Sequence, residues 1–197
     1  MLFNLNQEKT SDKLTGRSQK FASTIVAIIL LLMLALLSTQ SIAHDHHAHD
    51  NNGQTKLNLN LALKQQTGEY HAPYVAVWVE NEQRKSVRTL LLWRKEPKWL
   101  KDIRKWWRSV GRKDPLLVDA ITSATKSAGS YPLSFKALDD EGKALPNGNY
   151  TLYVEVVREK GGRAIIKKPF SLDGSMQGYT LKATGETDEI TFNVKPH

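Results

Sequence analysis

The sequence predicts an all-β sandwich of about seven to eight strands, interrupted by one amphipathic helical insertion. Three observations point to that fold class. From residue 55 onward, apolar residues largely alternate with polar ones, as in strands that bury one face. Turn signals recur about every eight to twelve residues, the spacing typical of sandwich proteins. A helical period occurs in one region, about residues 97–125.

The first 43 residues are predicted to be a targeting segment and not part of the folded domain. Basic residues precede an unbroken apolar run at 25–37, and the small-x-small pattern Ser41, Ile42, Ala43 follows. The run is shorter than the roughly 20 residues that a membrane-spanning helix needs. We predict a signal peptide that is cleaved after Ala43 during export by the general secretory route, with a retained membrane anchor as the alternative. Because the chain has no cysteine, nothing indicates a disulfide framework, and the predicted compartment is a bacterial periplasm.

The charge balance narrows the class of partner. The chain carries a formal net charge of +8, and residues 1–43 contribute four positive and two negative charges, which leaves +6 after cleavage. An exported basic protein rarely meets nucleic acid, so we expect an anionic membrane surface, an acidic partner or a phosphorylated cofactor. The roughly 150 remaining residues are enough for one domain with a single core. The sequence does not indicate an oligomeric state.

Residues 44–54 are predicted to form a flexible, histidine-rich tail. Its histidines are His44, His46, His47 and His49. If cleavage frees the amine of His44, that amine, two backbone amides and the His46 imidazole make a square-planar nitrogen set suited to Cu(II) or Ni(II). The other histidines can bind Zn(II) loosely. The alternative is a solvated tail without a metal function.

The strands follow from residue 55, the predicted start of the sandwich domain, which extends to 197. The first has leucine at alternate positions from Leu57 to Leu63, which indicates one buried face. The second, 74–80, is apolar on both faces and is therefore expected to be central, and it forms a hairpin with 86–93. The remaining predicted strands are 131–138, 149–159, 163–173, 178–184 and 189–195.

The helical insertion starts near Pro97, which suits a first helical turn. Trp99, Ile103, Trp106 and Val110 fall on one face of a regular helix over 97–110, and lysine and arginine occupy much of the rest. We expect the apolar face to pack on a sheet and the basic face to be solvated, where it is available to anionic lipid. A second short helix or turn is predicted over 115–124.

A family resemblance covers nearly all of the chain after the tail. The ordered segments PYVAVWVE, VRTLLLW, KWLKDIRKWW and LPNGNYTLYVEVVREKGG resemble a bacterial family of predicted periplasmic proteins grouped as a domain of unknown function. The last segment, preceded by DDEGK, is also similar to the immunoglobulin-like module of flagellar hook-capping proteins. The resemblance implies an immunoglobulin-like β-sandwich and a periplasmic location, and it implies no activity.

A second resemblance concerns the stretch DAITSAT, residues 119–125. It is similar to the motif Asp-x-x-Ser/Thr-Gly-Ala-Thr of exported flavoproteins, in which a dedicated transferase attaches FMN to threonine as a phosphoester. Asp119, Thr122 and Thr125 match that motif, whereas Ser123 stands where the motif has glycine. The resemblance implies covalent FMN on Thr125. The alternative is that these hydroxyls satisfy local backbone groups where a helix ends.

The sequence contains few signatures of an enzyme. It has no Gly-rich phosphate loop, HExxH or Gly-x-Ser-x-Gly, and after the tail it has only His71 and His197. Without cysteine, nucleophilic triads are nearly excluded. We therefore expect a non-catalytic periplasmic binding or accessory protein that is associated with a membrane redox or metal-handling system. The alternative is a flavin-carrying electron-transfer protein linked through Thr125.

Overall fold

The computed structural model describes residues 54–196, and within that range nine strands form two sheets. The strands are β1 Lys56–Leu63, β2 Tyr74–Asn81, β3 Ser86–Trp93, β4 Thr122–Ser123, β5 Gly129–Lys136, β6 Gly148–Val157, β7 Arg163–Leu172, β8 Gln177–Leu181 and β9 Ile190–Lys195. Between β3 and β4 lie a 3-10 helix Pro97–Asp102, helix α1 Arg104–Trp106, a π-helical turn Trp107–Gly111 and helix α2 Pro115–Ile121. The predicted signal segment, its cleavage site and most of the predicted tail lie outside the described residues.

The strand order is β5-β1-β9-β8 in one sheet and β4-β3-β2-β6-β7 in the other. Neighbouring strands are antiparallel except β3 and β4, which are parallel. The prediction of an all-β sandwich with one helical insertion is confirmed. The strand that the alternation did not predict is β4, because two residues are too few to show a period.

The main core lies between the two sheets. In β1 the leucines alternate with less buried residues as predicted, and Leu59 lies opposite Leu133 on one side and Phe192 on the other. Phe192 packs edge-on against Phe170 of β7, with ring centroids 5.2 Å apart. Each fully buried side chain of this size contributes about 1.5–3 kcal/mol through the hydrophobic effect. The two sheets are therefore held together by side chains from both inner faces.

Strand β2 is buried on both faces, as its composition predicts. Val75, Val77 and Val79 join the core between the sheets, whereas Ala76 and Trp78 belong to a second cluster beneath the helical insertion. This second cluster buries the outer face of the five-stranded sheet. The insertion therefore completes the fold as a third layer over β2, β3 and β6.

The insertion is less regular than predicted. Ile103, Trp106 and Val110 are buried as expected, whereas Trp99 is only partly buried and its neighbour Leu100 is buried. The chain also does not form one regular helix over 97–110. The helix breaks at Ile103, whose ψ of 69° is not helical, and restarts at Arg104. The restart has a tertiary cause, because the Glu155 carboxylate accepts hydrogen bonds from the backbone amides that follow Arg104. Within residues 54–196, no helix is both long and apolar enough to cross a membrane.

Candidate functional site

Helix α2 leads the chain into the candidate attachment segment. It begins after Asp114, whose carboxylate accepts a hydrogen bond from the Leu117 amide at 2.9 Å, as an N-cap does. It ends at Ile121, because Thr122 is extended with φ −69° and ψ 133°. The Thr122 hydroxyl donates to the Val118 carbonyl at 2.6 Å and so satisfies a carbonyl of the last turn.

Arg94, the residue after β3, connects two of the predicted site residues. Its Nε donates to the Thr122 hydroxyl at 3.0 Å, and its Nη2 lies 3.6 Å from a carboxylate oxygen of Asp119. The Arg94 side chain is 12% exposed, whereas that of Asp119 is 78% exposed. The Arg94 amide also donates to the Ser123 carbonyl at 2.9 Å and extends the parallel pairing of β3 with β4. Arg94 thus contacts both Asp119 and Thr122 and holds the start of the segment in place.

Thr125 lies in the connection between β4 and β5 and is half-buried. The connection is held at both ends, by the bond to the Ser123 carbonyl and by the Tyr131 hydroxyl, which donates to the Ser127 carbonyl at 2.7 Å. Residues 124–127 between these bonds form no regular secondary structure. Among the described residues the Thr125 side chain has no hydrogen-bond partner. The Thr125 hydroxyl is therefore not hydrogen-bonded within the described residues, and it lies in a segment whose two ends are held by hydrogen bonds.

The motif's glycine is replaced here by Ser123, and the backbone explains why serine fits. Ser123 is part of β4 and pairs with Trp93. Among the described residues, the only non-glycine residues with positive φ are Arg84 and Lys160. Ser123 therefore does not use the conformations that favour glycine.

Aromatic side chains gather at the same end of the domain. Trp93, opposite Ser123, contacts Tyr131 edge-on with ring centroids 5.1 Å apart. Tyr70 adjoins Ala128 and Tyr131, and burial raises the pKa of its phenol. Its hydroxyl is buried and lies beside the Ala128 backbone. Aromatic surface thus lies beside the connection.

The alternative interpretation of the hydroxyls applies to one of them. Thr122 satisfies a local carbonyl and also accepts from Arg94, which is a structural role. Thr125 has no such role in the described structure. The structure thus brings Asp119 and Thr122 together around Arg94 and leaves Thr125 apart from them, at the middle of the connection.

A second polar cluster, which was not predicted from the sequence, lies beneath the insertion. Glu155 is fully buried, and its carboxylate accepts from the Trp106 amide at 2.9 Å, from the Lys105 amide at 3.1 Å and from Arg163 Nε at 2.8 Å. A buried carboxylate with several donors is compensated for the loss of water. The feature of the sequence that could have indicated this cluster is the single carboxylate in the apolar run LYVEVV of β6.

Glu80 is the other buried carboxylate of this cluster, 1% exposed at the end of β2. One of its oxygens accepts from Lys105 Nζ at 2.8 Å and from Trp78 Nε1 at 3.0 Å. Burial alone would raise the pKa of Glu80, but the hydrogen bonds from Lys105 and Trp78, with the charge of Lys105, outweigh it and hold the pKa below its usual value. Lys105 is therefore a cation that ties the insertion to the sheet.

A basic cleft of about 560 Å³ opens between the β2–β3 turn and the insertion. The turn supplies Arg84 and Lys85, and the insertion supplies Lys105, Arg108 and Lys113. The acidic residues that line the cleft are Asp114, Asp140 and Glu141. Within residues 54–196, Lys105 is the only one of the five cations that forms an ion pair. The cleft therefore has an excess of unpaired positive charge.

The predicted metal ligands His44, His46, His47 and His49 all lie outside the described residues. In residues 54–196, no group of three or more histidine, aspartate and glutamate side chains is arranged to hold a metal ion. The binding of Cu(II), Ni(II) or Zn(II) by the tail stays a prediction.

Comparison with known proteins gives one match. Residues 56–189 match the model of the family described as "Predicted periplasmic protein (DUF2271)". No curated protein and no solved structure matches the chain. The likeness of the closing segment to the flagellar hook-capping module stays a prediction.

Proposed function

The chain belongs to this family of predicted periplasmic proteins, and from that premise we propose that it carries FMN covalently on Thr125 and transfers electrons as an accessory of a membrane redox system. The observation that carries the proposal is the position of Thr125. Its hydroxyl is unengaged among the described residues, and it lies midway between two backbone tethers in a connection without regular structure. The flanking residues Ala124 and Lys126 are exposed, so a modifying enzyme can reach the chain.

The attachment is a phosphoryl transfer. The Thr125 Oγ1 forms a bond to the flavin-side phosphorus of a flavin dinucleotide, and the bond from that phosphorus to the bridging oxygen breaks. A nucleoside monophosphate leaves and takes up the proton of the hydroxyl. The net addition equals FMN less one water. We assign this step to a separate transferase, because the motif that residues 119–125 resemble is modified by a dedicated transferase.

The residues around the connection suit a phosphoester. A phosphodiester keeps one negative charge, and the adjacent Lys126 is an exposed cation that favours it. Arg94 holds the start of the segment through Thr122 and Asp119, and its charge is offset by the Asp119 carboxylate. Arg94 thus fixes the backbone, and Lys126 favours the charge of the ester.

The flavin ring system needs an apolar surface beside its attachment point. Tyr131 is half-buried and contacts Trp93, so part of its ring is available at this end of the sandwich. When bound, FMN supplies one-electron and two-electron redox chemistry. The contribution of this chain is to tether the cofactor and orient it on a rigid pair of sheets.

A tethered carrier acts with partners and does not turn over a substrate alone. The proposal thus keeps the expected accessory role beside a membrane redox system. A metal-handling role depends on the tail histidines.

The proposal is tested by expressing variants with an FMN transferase and scanning the denatured protein for flavin fluorescence. We expect wild type and Ser127→Ala to fluoresce, Thr125→Ala to be dark, and Thr125→Ser to regain part of the signal. Ser127→Ala is the matched control, because it removes a hydroxyl from the same connection and leaves the backbone bond from Tyr131 intact. Fluorescence that persists in Thr125→Ala would refute the assignment.

A further inference from the structure

The positive charge of the domain is concentrated in one segment. Residues 94–113 contain nine lysine and arginine residues against Glu96 and Asp102, a formal net charge of +7. Residues 54–196 contain 24 basic and 16 acidic residues, a net charge of +8. The rest of the described domain is therefore close to neutral. Any long-range attraction to an anion acts mainly on the face that this segment forms.

Seven of the nine cations of the segment are exposed to solvent. The opposite side of the insertion is buried on the outer face of the five-stranded sheet through Leu100, Ile103, Trp106 and Val110. The exposed basic residues on the outside are Lys95, Lys98, Lys101, Arg104, Arg108, Arg112 and Lys113. Glu96 pairs with Lys98 at 2.9 Å, and the remaining exposed cations of the segment have no carboxylate within ion-pair distance in the described part of the chain.

An apolar side chain protrudes at the end of this face. Leu116 is 84% exposed, and the one other large hydrophobic residue that is highly exposed in residues 54–196 is Met176. Leu116 follows Lys113 and Asp114 and precedes Leu117, three residues that line the basic cleft. A protruding leucine beside a basic cleft is the arrangement by which peripheral proteins combine apolar insertion with attraction to anionic headgroups.

We propose that this face docks on an anionic phospholipid surface, with headgroup phosphates in the basic cleft and the Leu116 side chain at the acyl boundary. Charge complementarity favours lipid over an acidic protein. The cations are spread over the outside of the insertion, which suits the many headgroups of a lipid surface. The adjacent Leu116 side chain is not covered by apolar residues in the described structure. The proposal goes beyond the flavin and does not depend on it.

The test measures binding of the mature protein to vesicles of phosphatidylglycerol and phosphatidylcholine and to vesicles of phosphatidylcholine alone. We expect binding to the anionic vesicles only, and we expect about 1 M salt to abolish most of it, because that salt shortens the screening length to about 3 Å. The double variant Arg108→Gln/Lys113→Gln should bind about 25-fold more weakly, about five-fold for each charge. Leu116→Ser should weaken binding about ten-fold through lost apolar insertion.

The matched control is Lys136→Gln/Lys195→Gln, which removes the same charge from exposed positions on the other sheet. It should bind within about two-fold of wild type, since distant surface charges are screened. Circular dichroism of each variant verifies folding. The proposal is overturned if anionic vesicles do not bind the wild type, or if the control pair loses as much affinity as Arg108→Gln/Lys113→Gln.

Discussion

The Arg94 guanidinium donates a hydrogen bond to the Thr122 hydroxyl at 3.0 Å, across the parallel pairing of β3 and β4. The contact joins the end of a sheet strand to the start of the segment that resembles a flavin-attachment motif. Because Thr122 also donates to the Val118 carbonyl, its hydroxyl is used twice. The connection that contains Thr125 therefore starts from a fixed point.

Replacing Arg94 should make the start of the connection that contains Thr125 more mobile. In Arg94→Gln we expect a loss of about 1–2 kcal/mol in the free energy of unfolding, because a largely buried charged hydrogen bond is removed. Amide hydrogen exchange in residues 122–127 should accelerate. Lys95→Gln, a change at the exposed neighbour, should leave both quantities unchanged. Unchanged exchange in Arg94→Gln would show that the contact does not fix the connection.

Glu155 should be among the most sensitive positions of the domain. In Glu155→Ala the backbone amides of Lys105 and Trp106 and the guanidinium of Arg163 lose their acceptor beneath the insertion. We expect destabilisation of about 3–5 kcal/mol, as for the loss of one partner of a buried ion pair. Urea denaturation measures it, with the exposed Glu141→Ala as control. A loss below about 1 kcal/mol would show that the carboxylate does not hold the insertion.

The contribution of Glu80 should depend on pH. Its folded-state pKa lies below the ordinary value of 4.5, so the folded state favours the charged form. The resulting stabilisation is fully present above pH 4.5 and is lost as the pH falls through the lower folded-state pKa. The stability difference between wild type and Glu80→Gln should therefore be constant near neutrality and shrink in acid. Denaturation midpoints from neutral to acidic pH measure this stability difference. A difference that grows in acid would contradict a lowered pKa of Glu80 in the folded state.

Gly111 should not tolerate a side chain. A Cβ there would lie 2.6 Å from a ring atom of Trp107 and 2.7 Å from one of Trp106. Trp106 is fully buried and cannot move aside, so we expect Gly111→Ala to cost about 1–3 kcal/mol. Gly185→Ala, where nothing lies within 4 Å, should be nearly neutral. Equal melting temperatures for both variants would mean that the insertion repacks freely.

Local periodicity was sufficient to predict the strands and the burial of the insertion. Leu57 to Leu63 alternate visibly, and the tryptophan spacing predicts that Trp106 faces the sheet. The break at Ile103 could not be predicted, because its cause, Glu155, lies about fifty residues away. The strand β4 likewise depends on a distant contact, because it forms by pairing with Leu92 and Trp93. Its two residues are too few to show a strand period in the sequence.

The candidate site was predictable only in part. The motif-like spacing identified Asp119, Thr122 and Thr125. It could not separate the two that contact Arg94 from Thr125, whose hydroxyl has no hydrogen-bond partner within residues 54–196. The difference between these residues depends on their contacts with Arg94, which follows β3. Whether serine fits where the motif has glycine likewise depends on the backbone, which is extended at Ser123.

The most direct test of the account is the intact mass of the protein purified from its own cells. We predict a mass that exceeds the polypeptide by FMN less one water, with the addition on the peptide that contains Thr125. An unmodified mass from cells that contain an active FMN transferase would contradict the proposed function. It would leave the fold, the contacts of Arg94 and the predicted membrane docking unaffected.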